Sequence, residues 1–221
     1  MNANRIALPH PETAATRVGL IAVSMAALAA LTFFVTTAVP YLALDPGVLA
    51  RYASRRSWVL VHIAAGSVAL LTGPVQLWLG ISRRARRVHR WLGRIYVACV
   101  GIASIVAFYL AAHTELGWGF GTGITGLALA WVVTTGVAVA AISRGAIGQH
   151  REWMVRSYVV TFAFVTFRLF WSVLEIAGIG TLAEQLATSS WFCWAVPLLV
   201  TEVVIQSRRI RAYRTHGLAW P

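Results

Sequence analysis

Six apolar runs, each long enough to cross a bilayer, constrain this 221-residue chain more than anything else in it. They are Val18–Pro40, Trp58–Leu79, Leu92–Ala112, Phe120–Ile142, Val155–Ala177 and Trp191–Gln206. A hydrocarbon layer ~30 Å thick takes roughly 20 residues of helix. Within it every backbone N–H and C=O must be satisfied by its own segment, so such runs fold as helices. Hydrophobic residues make up 58% of the chain and charged ones 12%, too little polar surface to coat a water-soluble domain. The expected fold class is therefore all-α: one membrane domain, a polytopic bundle of six transmembrane helices. Arg5 and Arg17 precede the first run as they would a signal peptide. The run outlasts the ~7–15 residues of a cleavable core, so it is expected to be retained as a span.

The charge pattern orients the bundle. There are 19 basic residues against 7 acidic, a net charge of +12, and every basic residue is arginine. A nucleic-acid-binding domain would gather such charge on one water-exposed face. Here the arginines sit in short clusters between apolar runs, so no nucleic-acid partner is expected. Counted by loop, 15 fall on one side and 3 on the other, with Arg168 alone inside a span. The positive-inside rule then predicts both termini in the cytoplasm, for a chain in a bacterial inner membrane. Tyr41, Trp58, Trp78, Trp91, Trp118, Trp153 and Trp191 stand near span ends, where aromatic belts form. Asp45 before Pro46 reads as a turn. Cys99 and Cys193 have no paired spacing, so neither a disulfide nor a thiolate metal site is expected.

An internal repeat runs through the middle of the chain. Ile81, Ser82, Arg83, Ala85, His89 and Arg90 recur as Ile142, Ser143, Arg144, Ala146, His150 and Arg151, a constant offset of 61. With one insertion at Glu152 the match continues through Trp91/Trp153, Arg94/Arg156, Tyr96/Tyr158 and Val97/Val159. The unit, residues 62–112 and 123–177, is two helices, so both copies run in the same direction. A four-helix core related by an axis along the membrane normal follows, flanked by spans one and six. Span one carries a small-residue stripe, Ala22, Ala26 and Ala30, suited to close helix contact.

Two histidines fall near each face: His89 and His150 on the inner side, His62 and His113 on the outer. This is the ligand count of a di-haem b-type cytochrome, in which each iron takes two axial imidazoles from facing helices. His62, Gly66, Ala69 and Gly73 share one helical face, leaving a groove that a flat macrocycle or a neighbouring helix fills. At their depth His89 and His150 also suit interfacial anchors. Arg168 lies 13 residues into span five, where a charge costs at least about 2.5–3.5 kcal/mol unless paired or hydrated. Glu175 on the same stripe is its expected ion-pair partner. In the functional alternative Arg168 balances a haem propionate, a quinone oxygen or a phosphate. Glu202 is placed to offset Arg94 or Arg156.

His62-x-x-x-Gly66, Thr72-Gly73-Pro74-Val75-Gln76, Arg87-Val88-His89-Arg90-Trp91-Leu92-Gly93-Arg94-Ile95-Tyr96 and His150-Arg151-Glu152-Trp153-Met154-Val155-Arg156-Ser157-Tyr158 resemble the bacterial integral membrane proteins grouped as domain of unknown function 2306. The resemblance runs from about Trp58 to Arg168 and implies a membrane fold but no activity. At the level of architecture alone the chain is similar to cytochrome b561-type proteins, a four-helix core with histidines near both faces. The leading functional expectation is a membrane redox protein that holds haem b or works on a quinone. Its cofactor-binding residues would be His62, His89, His113, His150, Arg94, Arg156, Arg168, Gly66, Tyr96 and Tyr158, with the four histidines on iron. An alternative is an enzyme or transporter that grips a lipid or polyprenyl phosphate with its inner arginines, whose forks match phosphate oxygens. A third is a non-catalytic scaffold. No magnesium-binding Asp cluster, phosphate-cradling glycine loop, nucleophile elbow or zinc-protease motif stands in the sequence.

Overall fold

The computed structural model describes residues 14–82 and 85–216. Arg5, Arg83 and Arg84 of the arginine clusters lie outside the described residues. Helix α1 (Ala14–Phe33) passes through a π turn (Phe34–Ala38) into α2 (Val39–Leu42). Pro40 explains the π turn, because it brings no N–H to the helical ladder and crowds the carbonyl four residues back. Asp45 makes the expected turn: its Oδ1 accepts from the Gly47 N–H at 2.7 Å and caps α3 (Pro46–Leu49). A 3-10 turn (Ala50–Arg55) then leads into α4 (Arg56–Ser82), α5 (Arg86–Ala112), α6 (Trp118–Ser143), α7 (Ile147–Thr161), α8 (Ala163–Ile176) and α9 (Leu182–His216).

Among the described residues the chain is helical, with no strand. Five stretches are long and apolar enough to cross a membrane, and α7 with α8 supplies a sixth when the bent pair is counted as one span. The unbroken fifth helix expected over 155–177 is thus corrected. It breaks at Phe162, and its halves are bent by 43°. At the break Thr161 turns its hydroxyl back onto the Ser157 carbonyl at 2.9 Å while its oxygen also meets Tyr96 of α5 and Trp131 of α6. Past the break Val165 N–H takes the tighter i−3 acceptor, Phe162 O, at 2.9 Å.

The helices also start earlier than the apolar runs. His89 donates its N–H to Ala85 O and His150 to Ala146 O, so both histidines lie in the first turns of α5 and α7 rather than ahead of them. Hydrophobicity marks where lipid begins, whereas arginine is itself a good helix former and carries the helix beyond the lipid. Helix α4 packs on α5, α5 on α6, α6 on α7 and α7 back on α4. Helix α9 lies against α6, α7 and α8, and α1 against α4. Tyr96, Val100, Ala103, Trp131, Tyr158 and Val160 fill the centre of this ring.

Two prolines inside spans are answered by the same device. Pro74 leaves the Leu70 carbonyl without a helical donor, and Tyr158 supplies its hydroxyl at 3.3 Å. Pro197 does the same to Cys193, whose carbonyl takes the Thr166 hydroxyl at 2.6 Å. In hydrocarbon, where no water stands in for a missing donor, a neighbouring helix must provide one. Here both donors come from the bent α7–α8 span, which is tied on one side to α4 and on the other to α9.

Candidate functional site

At the arginine-rich end a cleft opens between α7 and α9. Its apolar lobe, about 350 Å³, is lined by Thr134, Trp153, Trp194, Leu198 and Leu199 among others. A polar lobe of about 390 Å³ adds Gln149, Glu152, Gln206 and Arg209. Trp153, Arg156 and Glu202 line both lobes, so the cleft changes from apolar to polar across the guanidinium of Arg156.

Arg156 is 6% exposed, and its guanidinium is strongly held. Nε and Nη2 donate to Glu202 Oε2 at 2.8 and 2.5 Å. The face of the guanidinium lies 4.6 Å from the Trp153 ring centre, a cation–π contact. Gln206 donates to the other Glu202 oxygen at 2.6 Å, and Arg209 donates to both oxygens of Glu152. Glu152 in turn stands 3.8 Å from Arg156 Nη1. The result is an alternating row, Arg209, Glu152, Arg156, Glu202, whose formal charges cancel. Arg156 Nη1 nevertheless makes no hydrogen bond, and neither does Trp194 Nε1, although both are buried. Of the two arginines that Glu202 was expected to offset, Arg156 is the one it meets. Arg94, its counterpart in the repeat, lies exposed on α5.

Sequence reading had not singled out Trp194, Gln206, Gln149 or Thr134. The signal was available in part: Trp194, Leu198, Glu202 and Gln206 recur every four residues on one face of α9, opposite Gln149, Trp153 and Arg156 on α7.

Tyr96 and Tyr158 serve the core. Tyr96 is fully buried, 2.7 Å from Thr161 Oγ1 and 2.8 Å from Ser157 Oγ. The direction of each bond follows from its ends. Trp131 Nε1 only donates, and it donates to Thr161 Oγ1 at 2.8 Å, while the Thr161 proton is already on the Ser157 carbonyl. Tyr96 therefore donates to Thr161, Ser157 donates to Tyr96, and Thr135 donates to Ser157 at 2.7 Å. Every donor in this five-residue network has an acceptor, which specifies how α5, α6 and α7 dock.

The residues do not present a haem site at His62. The small face of Gly66 and Gly73 is filled by side chains: a Cβ at Gly66 would stand 2.9 Å from Phe164, and one at Gly73 only 2.1 Å from Tyr158. Phe164 also lies 5.6 Å from the His62 ring. His62 Nδ1 donates to Ala103 O at 3.0 Å, whereas His113 lies ten residues, about 15 Å, farther along α5. There it is exposed, with Nδ1 donating to Tyr109 O at 2.8 Å and its ring 4.3 Å from that of Tyr109. The two histidines cannot share an iron in this arrangement. At the other end His150 Nδ1 donates to Ala138 O at 2.9 Å, and Gln76 donates to the His89 carbonyl at 2.9 Å. His89 and His150 lie within electrostatic range of each other, and His89 Nδ1 is buried without a partner. Among the described residues no group of three or more His, Cys, Asp or Glu forms a metal cluster.

Among the described residues Arg168 and Glu175, seven residues or about 10.5 Å of helix apart, form no direct ion pair. Glu175 is exposed, and Arg168 lies 5.5 Å from the Trp171 ring centre instead.

These features define a polytopic helical membrane protein, bound to lie in contact with lipid, whose bundle carries an amphipathic cleft between α7 and α9. The chain belongs to the family described as predicted membrane protein DUF2306, whose model matches residues 59–205. No curated protein and no solved structure matches it. The family match spans the motifs whose work is now visible: Gly73 and Pro74 receive Tyr158, Gln76 holds the α5 start through His89, and Arg156 stands in the cleft.

Proposed function

We propose that this protein binds a long-chain quinone in the α7–α9 cleft, with the arginine-rich end in the cytoplasm of a bacterial inner membrane. The orientation is supported by 15 arginines on that side against 3 on the other. One observation carries the ligand class. Arg156 Nη1 and Trp194 Nε1 are buried donors without acceptors, and both residues line one apolar lobe. Buried donors cost free energy until they find an acceptor, so the cleft favours a ligand that brings acceptor oxygens. Because the charges of the row cancel, an uncharged head suits it better than a phosphate, which would meet Glu152 and Glu202 beside each arginine. Carbonyl oxygens on a planar ring meet both conditions, and the indoles of Trp153 and Trp194 offer faces to stack on. The tail would follow Leu198 and Leu199 into lipid. Redox chemistry belongs to the quinone; Arg156, Trp194 and Thr134 place it and exclude water.

The test is extraction. Protein purified in mild detergent should yield close to one quinone per chain, and Arg156→Met much less. Phospholipid in place of quinone would favour a phosphate-binding cleft and overturn the proposal.

A further inference from the structure

Arg168 is a half-buried charge inside a span, and no described residue pairs with it. Among the described residues it makes no ion pair and donates no hydrogen bond; its guanidinium lies over the Trp171 ring. The described acidic residues are engaged elsewhere or out of reach. Glu115 pairs with Arg55, Glu152 and Glu202 with Arg156, Asp45 caps Gly47, and Glu184 accepts from Thr181. Glu175 is two turns away. Yet α8 faces lipid here, with Leu169, Val173 and Ile176 all more than half exposed. A guanidinium at the edge of such a surface is expensive without an anion, and the bilayer supplies anions only at its headgroups.

The geometry brings a headgroup within reach. Arg168 lies eight residues, about 12 Å of helix, from the end of α8 at Ile176. Trp171 is one turn nearer that end, and tryptophan prefers the boundary between hydrocarbon and headgroups. An arginine one turn below that boundary reaches it by extending its stem along the helix. Trp171 Nε1 is a second donor there, buried and without an acceptor.

We infer that Arg168, steadied by Trp171, is the anchor of a binding site for the phosphate of an anionic phospholipid, in the half of the membrane opposite the arginine-rich end. The guanidinium takes two phosphate oxygens through its fork, and the net negative headgroup supplies the missing counter-ion. The site is separate from the α7–α9 cleft and stands whether or not that cleft takes a quinone.

Native mass spectrometry of the full chain, released from micelles containing phosphatidylcholine and phosphatidylglycerol, tests the inference. Wild type should retain one more tightly held phosphatidylglycerol than Arg168→Gln, and Arg168→Lys should hold it with a several-fold lower retention. Equal lipid counts for wild type and Arg168→Gln would overturn it. Loss of the lipid on adding inorganic phosphate would show a free-phosphate site and overturn the lipid assignment. If Arg168→Gln does not fold, a photoactivatable phosphatidylglycerol on the wild-type protein decides: adducts in residues 163–176 support the site, and adducts confined to the arginine-rich loops refute it.

Discussion

Tyr158 donates its hydroxyl to the carbonyl of Leu70 at 3.3 Å, the acceptor that Pro74 leaves without its helical donor. The ring reaches that carbonyl only because residue 73 has no side chain, since a Cβ there would stand 2.1 Å from Tyr158 Cε2. Gly73, Pro74 and Tyr158 therefore act as one joint between α4 and α7.

That joint gives the first prediction. Gly73→Ala should destabilise the bundle by about 1–3 kcal/mol, the range for overpacking. Tyr158→Phe should cost less, because one long hydrogen bond between membrane helices is worth about 0.6 kcal/mol. In a Tyr158→Ala background the Gly73→Ala penalty should largely vanish. Thermal unfolding of the wild type and these four variants in one detergent measures this, and additive penalties would contradict the joint.

The buried hydroxyl network predicts an order of sensitivity. Thr161→Val removes an acceptor for Tyr96 and Trp131 together with the donor to Ser157 O, and should cost about 2–4 kcal/mol. Thr135→Val, at the end of the chain of donors, should cost about 1 kcal/mol. The same unfolding assay checks the ranking, and a Thr135 effect as large as that of Thr161 would mean the bonds run the other way.

Packing at His62 yields a spectroscopic prediction. With Phe164 and Tyr158 filling the Gly66/Gly73 face and His113 about 15 Å along α5 from the His62 contact, protein from haem-replete cells should show no b-type bands that depend on His62 in reduced-minus-oxidised spectra. Stoichiometric bands lost on His62→Ala would contradict this packing.

How much of this was legible in the sequence depends on the range of the cause. The spans, five or six with the bent α7–α8 pair counted, could be read because hydrophobic run length is a property of one segment. The break at Phe162 could not, since it falls beside Thr161, whose partners Tyr96 of α5 and Trp131 of α6 no local window contains. The small face at Gly66 and Gly73 was visible, but whether a cofactor or a neighbour filled it required knowing that α7 and α8 pack there. Glu202 was legible as a counter-charge on the inner side of the bundle. Its choice of Arg156 over the repeat-equivalent Arg94 rests on α9 lying against α7, an asymmetry the repeat hides.

The ion pair of the cleft predicts separable effects. Glu202→Gln keeps the shape but removes the charge that holds Arg156, and should cost about 1–3 kcal/mol. Freed of its partner, Arg156 should then favour an anionic lipid over a neutral head. A competition between phosphatidylglycerol and quinone in Glu202→Gln nanodiscs checks the shift, and an unchanged preference would contradict the charge argument.

The central claim is tested most directly by titrating decylubiquinone into phosphatidylcholine nanodiscs holding the full chain while following tryptophan fluorescence. Saturable quenching near one equivalent is expected, reduced in a Trp153→Phe/Trp194→Phe protein and weakened at least tenfold in apparent affinity by Arg156→Met. Quenching that rises linearly with quinone and is the same in all three proteins would contradict a quinone site in the cleft.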